Sequence, residues 1–297
     1  MQPRGGRRSN ALPAGGSKRI DGRRALVCVH RARDLELREY IDQVFKPPLA
    51  SRFSLDFKLP ALASQCAACL SWPSAAVCAP CVARFAPEIV RCKACALALP
   101  ANLATGLRVT PLLCMDCIRH HPPLEGVLTA VDYAYPWSGL ITRYKFGERS
   151  GWAPFFADLL LKTPGVAQAF EFLRTGDLII PMPLSAQRLQ SRGFNQAWEL
   201  ASALAKKSHS AATPDPHLLL RVKHTRPQTE LQREARLANV KAAFQLDPLR
   251  LAALAGRRVL LVDDVMTSGA SLFTAAEVLR SSGAASVTAV VLARTPQ

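Results

Sequence analysis

Apolar residues from position 127 onward come in short dense runs, separated by polar or glycine-containing stretches. Val127 to Tyr135 alternates and is rich in Val, Thr and Tyr, which predicts a strand. Gly139 to Tyr144 predicts a short helix or turn, and the strongly apolar stretch Trp152 to Leu161 predicts a helix. Leu178-Ile179-Ile180 reads as a buried strand closed by Pro181 and Pro183, and a helix follows through Leu204, with Asn195 placed to cap it. Leu218 to Val222 predicts another short strand, and Phe244 and Leu246 a return to the sheet. Val259-Leu260-Leu261-Val262 is the pattern of a strand buried on both faces of a parallel sheet. An amphipathic run from Leu272 to Leu279 and a last strand, Val287 to Leu292, complete the chain. This alternation predicts an α/β fold, a doubly wound and mostly parallel sheet with a ligand at the carboxyl ends of its strands.

The pattern before residue 127 is different. Residues 1 to about 30 are rich in Gly, Arg, Ser and Pro and are read as disordered. Asp34 to Phe45 can form a short helix, ended by Lys46-Pro47-Pro48. Cysteines then recur in pairs: Cys66 and Cys69, Cys78 and Cys81, Cys92 and Cys95, Cys114 and Cys117. Each C-x2-C knuckle presents two thiolates on one side of a tight turn, two corners of a tetrahedron. Eight such ligands suit two closed, structural zinc sites, whether consecutive knuckles pair or alternate ones do. Cys28 stands alone and is read as structural or incidental. The expected division is a basic extension over 1–59, a double zinc ribbon over 60–122 and the α/β domain over 123–297.

The most specific stretch starts at the strand Val259 to Val262. Asp263 and Asp264 follow where that strand should emerge, then a loop of small residues, Thr267, Ser268, Gly269, Ala270 and Ser271, then the amphipathic run. Small residues let backbone N–H groups approach an anion, and a helix N-terminus favours phosphate. The hydroxyls of Thr267, Ser268 and Ser271 add donors. Two carboxylates repel phosphate but accept hydrogen bonds from a vicinal diol, or hold magnesium. Diol and phosphate together suggest a ribose 5-phosphate. A Walker B strand also ends in paired acids, but the chain has no G-x4-G-K-[ST] partner loop. A receiver domain would need several more strand and helix units after the acidic pair than this chain has. An ordinary βα corner is the plain alternative.

The thirteen residues from Val259 to Ser271 resemble the phosphoribosyl diphosphate (PRPP) motif of type I phosphoribosyltransferases. The resemblance implies that Asp263 and Asp264 contact the ribose and that Thr267 to Ser271 hold its 5-phosphate. Four knuckles precede Tyr144-Lys145-Phe146-Gly147, Pro181-Met182-Pro183-Leu184 and Arg192-Gly193-Phe194-Asn195-Gln196. Thr225-x2-Gln228-x2-Leu231 and Arg236-x2-Asn239 then lead into the PRPP motif. This order is similar to the ComF family, phosphoribosyltransferase-like proteins associated with DNA uptake in bacterial competence. It implies a PRPP site with magnesium, Lys145 in a pyrophosphate loop, Arg192 as a further PRPP contact, and the segment from Arg188 to Gln196 and the basic stretch from Lys223 to Arg236 covering or bordering the site. Ser268 and Ser271 stand where related motifs often carry Thr, which keeps the hydroxyls.

Charge and composition sharpen the partners without settling them. The chain has 297 residues, is 49% hydrophobic and carries a net charge of +16, which points to polyanions or anionic substrates. Residues 1 to 33 contain nine basic groups against one acid, half of that excess, so the rest is only moderately basic. No apolar run is long enough to span a bilayer and the N-terminus lacks a secretory apolar core, so a reducing cytoplasm is the expected compartment. Two functions remain: an enzyme that moves the ribosyl 5-phosphate of PRPP to an unknown acceptor, or an adaptor for single-stranded DNA and competence proteins that keeps the fold as a ligand sensor.

Overall fold

The computed structural model describes residues 64–100, 112–147, 151–222 and 243–296. The extension, the expected helix from Asp34 to Phe45 and the basic stretch from Lys223 to Arg236 lie outside the described residues. Two short helices, α1 (Ala79–Phe85) and α2 (Met115–Arg119), belong to the cysteine-rich part. Then come β1 (Gly126–Asp132), α3 (Trp137–Phe146), α4 (Trp152–Leu161), α5 (Val166–Glu171) and β2 (Leu178–Pro181). They are followed by α6 (Ala186–Arg192), α7 (Gln196–Lys207), β3 (Thr213–Pro214), β4 (Leu219–Arg221) and β5 (Phe244–Leu246). The described chain ends with β6 (Arg258–Met266), α8 (Ala270–Ser281) and β7 (Ser286–Arg294).

Five strands form one sheet in the order β1-β7-β6-β2-β3, every pair parallel. Alternation along β6 explains its apolar run. Leu260 and Val262 enter one core with Phe156, Leu160, Leu200 and Leu204 of α4 and α7. Val259 and Leu261 enter the opposite core with Leu272, Ala275 and Leu279 of α8. Helices thus cover both faces, as parallel sheets require. Phe244 and Leu246 differ from expectation: they pair antiparallel with β4 in a separate two-stranded sheet. Phe244 is nonetheless buried in the second core, which is the apolar signal its sequence carries.

The cysteine knuckles pack on the β1 edge, one set on each side of the sheet. Cys66 and Cys81 join the first core; Cys92, Cys95 and Cys117 join the second. Main chain and side chains fasten the join. Val127 N–H donates to the Lys93 carbonyl at 2.8 Å, and Trp137 Nε1 donates to the Phe85 carbonyl at 2.6 Å. Arg91 Nη1 meets Asp132 Oδ1 at 2.7 Å. No helix among the described residues is long and apolar enough to cross a membrane.

Candidate functional site

β6 outruns its neighbour. β2 stops at Pro181, and the last link between them is the Met182 N–H to Val262 carbonyl bond at 2.8 Å. Asp263 and Asp264 lie in the strand beyond that point, with β7 on one side only. The strand therefore continues through the acidic pair to Met266, four residues further than its apolar run. The open flank makes a crevice at the carboxyl end of a central strand, where ligands of such sheets sit.

A cavity of about 340 Å³ fills this crevice. Lys145, Arg192, Asp263, Asp264 and all five residues from Thr267 to Ser271 line it, so the described residues expected to contact PRPP are brought together there. Its size suits a small molecule. Arg188, Gln196 and Arg221 also line it. Arg221 lies within the strand expected over Leu218 to Val222, and an Arg in a strand carries no local mark of a site.

Lys145 is not in a loop. It sits in the last turn of α3, and its Nζ reaches Asp264 Oδ1 at 3.1 Å. Helical spacing turns Tyr144 inward, where its hydroxyl donates to the Gln196 carbonyl at 2.6 Å. Burial, with Asp264 and Glu199 nearby, pushes the Tyr144 phenol up. Phe146 is 69% exposed and stays outside the core. The Arg192 guanidinium lies 4.8 Å above the Phe146 ring instead. Gly193, at φ 73, ends α6, and Asn195 caps α7 as expected, accepting from the Ala197 N–H at 3.0 Å. The Asn195 amide also donates to the Met182 carbonyl at 3.1 Å, which ties the start of α7 to the end of β2.

The acidic pair is electrostatically loaded. Asp264 is 3% exposed, and its Oδ2 is buried with no hydrogen-bond partner. Burial, then the Asp264 charge, pushes Asp263 up to about 7, against the Asp264 N–H that donates to its Oδ1 at 2.8 Å and the charges of Lys145 and Arg221. A buried acceptor without a donor costs about 1–3 kcal/mol. A diol hydroxyl or the water shell of a magnesium ion would satisfy it, so the donor set fits both groups. The loop opens α8: Gly269 is its N-cap at φ 83, and Ser268 Oγ accepts from the Ala270 N–H at 3.4 Å. The φ of 83 favours glycine, and a Cβ on Gly269 would meet Met266 Cε at 2.4 Å and the Phe273 ring at 2.8 Å, so both side chains beneath the loop would have to shift.

The eight paired cysteines form two groups from consecutive knuckles, Cys66-Cys69-Cys78-Cys81 and Cys92-Cys95-Cys114-Cys117, each with sulfurs within 4.8 Å of one another. The Cys78 and Cys114 N–H groups donate to Cys66 and Cys92 Sγ, both at 3.3 Å. The Cys95 thiol, and against burial the Cys114 N–H, draw Cys92 down to about 4. Burial foremost holds Cys81 and Cys117 up at about 12. Thiols this close cannot all ionise without a cation among them, and four sulfurs suit a closed tetrahedral zinc site. A larger cavity of about 980 Å³ lies at the amino ends of the strands, beside Arg91, Lys93 and Arg258, and contains neither the acidic pair nor the loop.

An all-parallel sheet with an acidic pair and a small-residue loop at the carboxyl end of a central strand defines a phosphoribosyltransferase-like protein. Residues 192–297 match the family described as phosphoribosyl transferase domain. The DNA utilization protein YhgH of Salmonella typhimurium is 32% identical over 238 residues, 80% of this chain and 98% of that protein. YhgH of Escherichia coli K12 is 35% identical over 62% of this chain and 78% of its own length. Competence protein F of Haemophilus influenzae is 34% identical over 61% of this chain and 78% of its own length. The chain belongs to the ComF family, which includes YhgH. Among solved structures, a hypoxanthine phosphoribosyltransferase from Staphylococcus aureus is 14% identical, with 52% of this chain and 71% of that one covered and a TM-score of 0.30.

Proposed function

We propose that this chain binds PRPP with magnesium in the cavity at the end of β6 and transfers its phosphoribosyl group to an acceptor. One observation carries the reading: an acidic pair, whose buried member Asp264 has an unused acceptor oxygen, shares a cavity with a phosphate-type loop and a cluster of basic side chains. In this reading Asp263 and Asp264 accept hydrogen bonds from the ribose hydroxyls. The backbone N–H groups and hydroxyls of Thr267 to Ser271 hold the 5-phosphate. Lys145 and Arg192 bind the diphosphate, whose bond to ribose C1 breaks as the acceptor atom bonds to C1 and the diphosphate leaves with the electron pair. Holding that leaving group by fixed positive charge lowers the barrier without reorganisation. Magnesium, held by the acidic pair and the ligand's own oxygens, would supply further charge neutralisation. Residues 60–122 serve as a ribbon module with two structural zinc ions, attached to the ligand-binding residues 123–297.

A second reading draws on the names of the relatives, a DNA utilization protein and a competence protein, and on the net charge of +16. In it the chain is a cytoplasmic adaptor for single-stranded DNA and competence proteins, and PRPP is a signal it senses. Calorimetry with PRPP and magnesium, followed by an oligonucleotide in the same cell, tests both. Pyrophosphate release with an added base supports transfer. Binding of PRPP and DNA without release for any base tried supports the adaptor. Absence of PRPP binding removes both the transfer and the sensor.

A further inference from the structure

Arg294, the last residue of β7, is 2% exposed. A guanidinium that deep needs its N–H groups satisfied. Its register partner on β1, Asp132, gives its carboxylate to Arg91. Its acceptors among the described residues are all main-chain carbonyls, and they come from two distant places. Nε donates to the Cys95 carbonyl at 2.9 Å, inside the knuckle of the second cysteine group. Nη1 donates to the Met266 carbonyl at 3.4 Å, to the Thr267 carbonyl, and to the Thr295 carbonyl at 2.6 Å. Met266 and Thr267 lead into the loop at the start of α8.

In a trans peptide the carbonyl and the following N–H point to opposite sides. Drawing the Met266 and Thr267 carbonyls onto Arg294 therefore turns the N–H groups of Thr267 and Ser268 away from it. Both residues line the cavity. The other end of the guanidinium depends on the knuckle. Cys92 to Cys95 is a tight turn, closed by the Ala96 N–H to Cys92 carbonyl bond at 2.8 Å, with Ala96 at φ 56. Four sulfurs on one ion would fix that turn and hence the Cys95 carbonyl. A zinc ion with four thiolates also carries net negative charge, which the buried guanidinium offsets.

We infer that Arg294 is a positioning residue that couples the metal site of Cys92, Cys95, Cys114 and Cys117 to the loop from Thr267 to Ser271. The meaning of that loop as a phosphate site rests on the function proposed above, but the coupling does not. A planar fork can bond the knuckle and the loop at once, and a lysine ammonium cannot span both. Coupling of this kind is reciprocal: ligand on the loop also tightens the metal site.

Hydrogen–deuterium exchange of the segment from Asp264 to Leu272 tests it on the full chain. In Cys92→Ser, which loses the second ion, the segment should exchange about 5-fold faster or more. In Cys66→Ser, which loses the first, it should exchange as in the parent. Arg294→Lys and Arg294→Met should show fast exchange to which Cys92→Ser adds nothing. Equal responses to loss of either ion, no response to loss of the second, or an undiminished effect of Cys92→Ser in the Arg294 variants would overturn the inference. If the Arg294 variants do not fold, the contrast between Cys92→Ser and Cys66→Ser decides alone. PRPP calorimetry on the parent reports separately on the ligand reading.

Discussion

Lys145 Nζ lies 3.1 Å from Asp264 Oδ1, joining the last turn of a helix to the end of the central strand. The pair leaves the second carboxylate oxygen unengaged, so Lys145 orients Asp264 without using it up. Lys145→Met should lower PRPP affinity about 10- to 150-fold, the loss of one charged hydrogen bond inside a cavity. Asp264→Asn should lower it about 5- to 150-fold. Calorimetry in magnesium checks both, and wild-type affinity in the two variants would leave the acidic pair as an ordinary strand end.

Stability of the ligand-free protein should depend on pH through Asp263. Its carboxyl is held up at about 7 against an ordinary value of 3.8. Between those values the folded chain keeps a proton that the unfolded chain has released, so stability falls as pH rises from about 4 to 7. Asp177 is shifted the other way, burial being outweighed by the Arg174 and Arg258 N–H groups and the Arg258 charge, so its contribution is lost only below that window. Asp263→Asn should flatten the decline, which thermal melts across pH would reveal. PRPP affinity should rise over the same interval, because only the ionised carboxylate has its full acceptor capacity.

Gly269→Val should cost stability as well as ligand. The residue has φ 83, and its Cβ would strike Met266 and Phe273. A loss of about 1–3 kcal/mol is expected from strain and overpacking. Ser268→Ala, on an exposed residue, should weaken phosphate binding with a near-parental melting temperature. Melting curves of the two variants side by side distinguish packing from ligand contact.

Metal content should be about two zinc ions per chain in reducing buffer, and about one in Cys92→Ser. Elemental analysis finding no zinc in the parent would remove the ribbon reading.

Oligonucleotide affinity should fall linearly on a log–log plot against salt. Removing residues 1–33, which hold half of the net charge, should flatten that line. An unchanged slope would put the DNA contacts on the folded body.

Much of the fold was legible because its strands are buried on both faces. Such strands write themselves as unbroken apolar runs, and Val259 to Val262 named the central strand. The helix from Trp152 to Leu161 was legible to the residue. Boundaries were less so. β6 runs on through two carboxylates because β7 still pairs with it, and pairing is a property of the neighbour. Phe244 and Leu246 look like sheet residues whichever sheet they join, so their pairing with β4 was not readable. Lys145 and Arg192 entered through family resemblance, and their placement on helix ends followed only from the fold. Arg294 left no trace in the pattern: it closes an apolar strand, and all but one of its carbonyl partners lie 27 to 199 residues away in sequence.

The two edges of the sheet are guarded unequally. β3 is two residues long and ends in Pro214, which has no N–H to offer a newcomer. β1 is seven residues long, and its opening is covered by the knuckle whose Lys93 carbonyl takes the Val127 N–H. Metal in the cysteine clusters would therefore do more than hold a ribbon together. A chain starved of zinc would uncover a strand edge rich in Val, Leu and Thr, ready to pair with the same edge of another copy. Such chains should be lost to clumping before they are lost to unfolding, and zinc supply during synthesis would set how much protein stays in solution.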